Sequence, residues 1–197
     1  QHGITPTQAR KRHGSLKVYP PASFYITVQG AKKMDFKIID VGEIAVYGRS
    51  KAWDERKYSS REELRHCMWD ENTDSVPGKI CAGKWNQMGN SAYDGVWYGI
   101  WHDGRYLIGR EKEVVQKESL EKHTIAQGQY AAFQTEPGGL AWEEIPKLTE
   151  LIFNSWLPSS GYVCRNNDMI EIYHLWTDPA LRRKNRYYEI WIPIASK

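Results

Sequence analysis

Twice along this chain a strand-forming stretch, an amphipathic helix and two further strands follow one another, and that order limits the fold more than any single residue. In the first half, residues 34–50 read as one or two strands bent at Gly42. Ser60-Arg61-Glu62-Glu63 is a capping box opening a helix that runs to about Trp69. Gly95 to Trp101 and Arg105 to Val115 then flank His102-Asp103-Gly104, a hairpin signal. In the second half, Thr124 to Glu136 is strand-forming and Pro137-Gly138-Gly139 breaks it. Leu140 to Leu157 carries Ile145, Leu148, Ile152 and Trp156 at helical spacing. Met169 to Trp176 and Tyr187 to Ile194 are two more strands, joined by the basic run Arg182-Arg183-Lys184-Asn185-Arg186, read as a solvated loop. Residues 72–94, rich in Gly, Asn and Ser, read as irregular. The loops differ in length between the halves, so the pattern is a structural duplication and not a fixed-period repeat.

Composition removes several classes of function. With 41% hydrophobic and 26% charged residues, the 197-residue chain is expected to be a soluble intracellular protein. No apolar run is long enough to cross a bilayer, and nothing at the start reads as a signal peptide. Cys67, Cys81 and Cys164 are odd in number with no CxxC pair, and the six histidines show no HExxH spacing, so neither a metal nor any other cofactor is expected. Gly83-Lys84 and Gly138-Gly139 lack the context of a nucleotide loop. No Ser-His-Asp or Cys-His arrangement is visible, and no catalytic residue is assigned. The net charge of +3 is small but unevenly spread. No acidic residue precedes Asp35, whereas Arg10, Lys11, Arg12, Lys17, Lys32 and Lys33 do, as if two regions serve different partners.

Nine Trp and twelve Tyr against four Phe is a skewed aromatic set. It suits a half-wet pocket, but equally a core that uses Trp in place of Phe. Strand alternation sharpens the choice. In Met169-Ile170-Glu171-Ile172-Tyr173 the isoleucines share one face, leaving Glu171 and Tyr173 on the other. In Tyr188 to Ile194 the isoleucines again share a face, leaving Glu189 and Trp191 opposite. In Val96 to Trp101 the aliphatic pair leaves Trp97 and Trp101 opposite. The isoleucine face of each strand is expected to pack on helices, with Glu171 and Glu189 together on the other. Such a face is ordinarily solvated, but three tryptophans on it mark a binding surface. Tyr173, Tyr187 and Tyr188 are candidates for its hydrogen-bonding rim, and only one of the last two can enter the cleft.

The first residues are different. Thr5 suits an N-cap and Pro6 a first helical position, giving a short helix over residues 3–13 that cannot fold alone. Tyr19-Pro20-Pro21 reads as a stiff linker and Phe24 to Val28 as a strand. Gly3-Ile4-Thr5-Pro6-Thr7-Gln8-Ala9-Arg10 resembles the last helix of the double helix-turn-helix domain of AraC-family regulators, with Ala9 where that family has an aromatic residue.

Residues 16–197 resemble the GyrI-like effector-binding domain of AraC- and MerR-type regulators. The resemblance rests on Phe24-Tyr25-Ile26 with Gly30, Phe36-Lys37-Ile38-Ile39, Val46-Tyr47-Gly48 and Gly128-Gln129-Tyr130-Ala131. It continues through Trp156-Leu157-Pro158-Ser159-Ser160-Gly161-Tyr162, Ile170-Glu171-Ile172-Tyr173 and Trp191-Ile192-Pro193-Ile194. It implies an α+β fold of duplicated βαββ halves, whose antiparallel sheets form a curved ligand cleft. The expected organisation is residues 1–15 as a remnant of the DNA-binding domain, 16–33 as linker and first strand, and 34–197 as the effector-binding domain, with halves at about 34–115 and 124–197. The resemblance makes Glu171 the acidic anchor for a lipophilic, aromatic cation, with Tyr173, Trp97, Trp101, Glu189, Trp191 and Tyr187 as further ligand-binding candidates. The expected partners are that small molecule and promoter DNA, the latter through the helix-turn-helix domain, and no membrane. Two other roles stay open: hydrolysis of DNA-alkylating small molecules by Glu171 and Tyr173, which relatives of this group perform, and capping of another protein.

Overall fold

The computed structural model describes residues 34–69, 95–111, 120–175 and 179–197. The chain divides after Lys33, and all of these residues lie in the unit Met34–Lys197. The helix expected at residues 3–13, the linker, the strand at Phe24 to Val28 and the irregular stretch 72–94 lie outside the described residues.

The first half is β1 (Phe36–Val41), β2 (Ile44–Ala52), α1 (Arg61–Trp69), β3 (Gly95–His102) and β4 (Arg105–Arg110). The second is β5 (Glu121–Ile125), β6 (Gly128–Gln134), α2 (Ala141–Leu151), β7 (Tyr162–Cys164), β8 (Met169–Leu175) and β9 (Tyr187–Ser196). A π-helical turn (Ile152–Trp156) and α3 (Leu157–Ser159) prolong α2, while α4 (Pro179–Asn185) lies between β8 and β9. The strand–helix–strand–strand order therefore recurs as expected, preceded in each half by one more strand, with the three-residue β7 added after the helix of the second half. The basic run expected to be a loop belongs largely to α4. Its proline start and unbranched basic residues favour a helix in the space between two strands.

Local chemistry explains the boundaries. The Glu63 amide donates to Ser60 Oγ at 3.1 Å, and the Glu63 carboxylate accepts from the Ser59 amide at 2.6 Å, capping α1. Asp103 and Gly104, with φ of 45° and 69°, form the tight turn between β3 and β4, where glycine carries the positive φ at no steric cost. Ile145, Leu148, Ile152 and Trp156 form the buried face of the helix that α2 begins.

The strands form one antiparallel sheet in the order β1-β6-β9-β8-β3-β4-β2-β5, with β7 paired to the end of β9. The order maps onto its own reverse when each strand is exchanged for its counterpart in the other half. The axis lies between β3 and β8, where Gly99 faces Glu171. β1 pairs with β6 of the second half, and β5 with β2 of the first. The sheet curls, and only Ala126 and Gln127 separate edge strand β5 from β6, next to the opposite edge.

Two cores result. One lies between the sheet and the helices: Leu64 and Met68 of α1 and the buried face of α2 meet Trp97, Trp101, Tyr106, Phe133, Tyr173 and Ile190. The other lies on the opposite face and, among the described residues, is built from strands, including Val46, Tyr98, Ile100, Ile125, Ile170 and Ile172. No described helix is long and apolar enough to cross a membrane.

This division corrects one sequence-based expectation. On β9 the isoleucines do face the helices, but on β8 and β3 the Glu, Tyr and Trp residues face them instead. The register pairs Glu171 with Ile190 and Ile172 with Glu189, so Glu171 and Glu189 lie on opposite faces. Alternation orders the faces within a strand, and the register between strands decides which faces coincide.

Candidate functional site

Glu171 of β8 is wholly buried beneath α1, with 0% of its surface exposed. A lone carboxylate there would be very costly, so its partners define the site. Four side chains donate to it. Arg65 of α1, itself only 6% exposed, presents one edge of its guanidinium. Its Nε stands 2.9 Å from Oε1 and 3.1 Å from Oε2, and its Nη2 stands 2.6 Å from Oε1. The hydroxyls of Tyr106 and Tyr173 each donate to Oε2 at 2.6 Å, and Trp101 Nε1 donates to Oε1 at 3.2 Å. Trp69 Nε1 in turn donates to the Tyr106 hydroxyl at 2.9 Å.

The electrostatics agree with this geometry. Burial works against the charge of Arg65, but the charge of Glu171, the Tyr106 and Tyr173 hydroxyls and the hydrogen bond to Glu171 together outweigh it and hold the guanidinium well above its ordinary pKa. Burial and the same carboxylate push both the Tyr106 and Tyr173 hydroxyls well above the usual phenol range, so both remain donors.

Aromatic rings wall the cluster. Trp69 lies 4.4 Å from Tyr173 and edge-on to Trp97 at 5.9 Å, while Trp101 and Tyr106 are 4.7 Å apart. The Arg61 guanidinium sits 5.2 Å from the centre of the Trp101 ring, within cation–π range. Trp101 also lines an outer groove of about 360 Å³ with Arg61, His102, Phe153, Cys164 and Asp168. In that groove His102 Nδ1 is 2.7 Å from Asp168. Among the described residues no group of three or more His, Cys, Asp or Glu is placed to hold a metal ion.

Of the residues singled out from sequence, Glu171, Tyr173, Trp97 and Trp101 come together here. Glu189, Trp191 and Tyr187 form a separate group on the other face. There Glu189 accepts from Trp191 Nε1 at 2.7 Å and lies 2.8 Å from His174 Nε2, and the His174 ring stacks on Tyr187 at 4.1 Å. Arg65, Tyr106 and Trp69 were not anticipated. One signal for Arg65 was available: Arg61, Leu64, Arg65 and Met68 occupy the i, i+3, i+4, i+7 stripe of α1, which puts two arginines on its apolar face.

A curled antiparallel sheet with few helices is the architecture of the GyrI-like effector-binding domains. Residues 80–194, more than half of the chain, match the Cass2 family, described as integron-associated effector binding protein, and the chain belongs to that family. Among the solved structures that share the fold are these two. One is a putative bacterial transcription regulation protein from Staphylococcus aureus MU50, with 14% identity and a TM-score of 0.50, covering 83% of this chain and 100% of that one. The other is the EcmrR C-terminal domain, with 13% identity and a TM-score of 0.51, covering 83% of this chain and 99% of that one. No curated protein matches the chain significantly.

Proposed function

We propose that this chain is the effector-sensing part of a bacterial AraC-type transcription regulator, and that Glu171 anchors a cationic aromatic effector. The observation that carries this reading is a carboxylate buried among Trp69, Trp97, Trp101, Tyr106 and Tyr173, in a chain of an effector-binding family. A delocalised organic cation is weakly hydrated, so aromatic faces compete with water for it, at about 0.5–2 kcal/mol per contact. The carboxylate selects the sign of its charge. Regulation of promoter DNA is supported by the Gly3 to Arg10 motif and by the acid-free basic segment before Asp35. On this reading residues 1–15 belong to the DNA-binding part and residues 34–197 to the sensor.

Hydrolysis by Glu171 and Tyr173 is less well supported. A general base needs a carboxylate oxygen with a lone pair to spare, and both oxygens of Glu171 already accept several donors.

Titration of tryptophan fluorescence with planar cationic dyes and their neutral analogues tests the proposal. Glu171→Gln is expected to weaken the cations by roughly 1–3 kcal/mol and to leave the neutral analogues nearly unchanged. Cation binding that is the same in wild type and Glu171→Gln overturns the anchor assignment.

A further inference from the structure

We propose that Arg65 is a built-in occupant of the Glu171 site, and that the effector which displaces it carries a planar N–H cation of the amidine or guanidine class. The inference rests on the reading of Glu171 as the cation anchor, and it adds what regulates that anchor and what chemistry opens it.

The position beside Glu171 is filled by the chain itself. The Arg65 guanidinium meets the carboxylate edge-on: Nη2 and Nε both donate to Oε1 and Nε is shared with Oε2, so two adjacent N–H groups of one planar cation are used. It also lies 6.0 Å from the centre of the Tyr106 ring. An aryl amidine reproduces the charge, the plane and the parallel N–H donors. A quaternary ammonium reproduces only the charge, and its entry would forfeit every hydrogen bond that Arg65 now makes.

The element carrying Arg65 is suited to move. α1 has nine residues and buries only Leu64, Arg65 and Met68; it packs on α2 and β4, and reaches β3 and β8 through the side chains of Arg61, Arg65 and Trp69. One turn earlier, Arg61 places a second guanidinium against Trp101, the residue that lines the outer groove and also donates to Glu171. Two guanidinium groups of one short helix thus occupy both stations between the groove and the buried carboxylate. A released Arg65 has a second partner at hand, because Glu62 is exposed and lies 3.9 Å from Arg65 Nη1. Exchange of one guanidinium-like cation for another leaves neither Glu171 nor Arg65 without a counter-charge. That is how a buried ion pair can open at modest cost.

The test uses the full chain with three probes: benzamidine, phenyltrimethylammonium (the same charge without N–H groups) and neutral benzamide. Arg65→Ala is expected to bind benzamidine at least about ten-fold more tightly than wild type, since the internal competitor is gone. Its lowered Tm should be restored by millimolar benzamidine and by neither other probe. Arg65→Lys keeps the charge but not the fork, and should show the same trend more weakly if the alanine variant fails to fold. The charge-free double variant Arg65→Met/Glu171→Gln should melt near wild type and ignore benzamidine. If Arg65→Ala and Arg65→Lys bind benzamidine no more tightly than wild type, while Glu171→Gln still weakens it, the anchor stands and the built-in occupant is overturned. If phenyltrimethylammonium binds Arg65→Ala as well as benzamidine does, the N–H class is overturned. If no variant distinguishes cation from neutral probe, the anchor itself fails.

Discussion

Gly99 shows how closely the site is built around its hydrogen bonds. It faces Glu171 across the β3–β8 pair, and a Cβ there would overlap the Tyr106 hydroxyl and come within 2.9 Å of Glu171 Oε2. Both are held by partners, so neither can move aside freely. Gly99→Ala should therefore cost about 1–3 kcal/mol, as overpacking does elsewhere, and should weaken cation binding, read by urea denaturation and fluorescence titration. Arg65→Ala should cost more, roughly 3–5 kcal/mol in the same denaturation experiment, because it strands a buried carboxylate. The paired Arg65→Met/Glu171→Gln change should recover most of that loss. Glu171 and its tyrosine were legible in the sequence because they alternate with isoleucines in one strand. Arg65 was not, because an arginine in a short capped helix ordinarily faces water, and only its place in the Arg61–Leu64–Arg65–Met68 stripe distinguishes it.

At the level of elements, capping and turn chemistry located α1 and the β3–β4 hairpin, since both signals are local. Register is not local, which is why Glu189 fell on the face opposite Glu171. β7 is only three residues long and α4 is confined between strands, so neither produces a periodic pattern long enough to read. Two strands also carry groups that make stability depend on pH. On β5, burial and the neighbouring His102 hold His123 below its ordinary value of 6.5, so the folded state favours its neutral form. The unfolded chain binds that proton more readily. The contribution of His123 is present above about pH 6.5 and is lost as pH falls through its folded pKa. On β9, burial pushes Glu189 up, but hydrogen bonds from His174 and Trp191 prevail and hold it below 4.5, so its contribution is present above that value and lost on further acidification. Urea midpoints should thus fall in two stages between pH 7.5 and 3.5, and His123→Asn should remove the first stage. A wild-type midpoint that is flat from pH 7.5 to 5 would contradict the first assignment.

Across the whole of residues 34–197, the most protected amides should lie at the centre of the sheet, in β3, β8 and β9, where both faces are covered. α1 should exchange much faster, as a cover with three buried residues must, and an effector of the class proposed should change protection there before it changes the sheet. Equal protection of α1 and β8 would count against a movable cover. The crossed edge strands carry a further consequence. Among the described residues β1 pairs only with a strand of the other half, and β5 likewise, so a single half would complete these pairings against a second copy related by a two-fold axis. In such a symmetric pair any contact between unlike residues would have to occur twice, once on each side of the axis. Joining the halves in one chain removes that constraint: the first half supplies Arg65, Trp101 and Tyr106, and the second supplies Glu171 and Tyr173. Strict two-fold symmetry would produce such a cation–anion site only as an identical pair, and this chain can hold it once because its two halves no longer have to be alike.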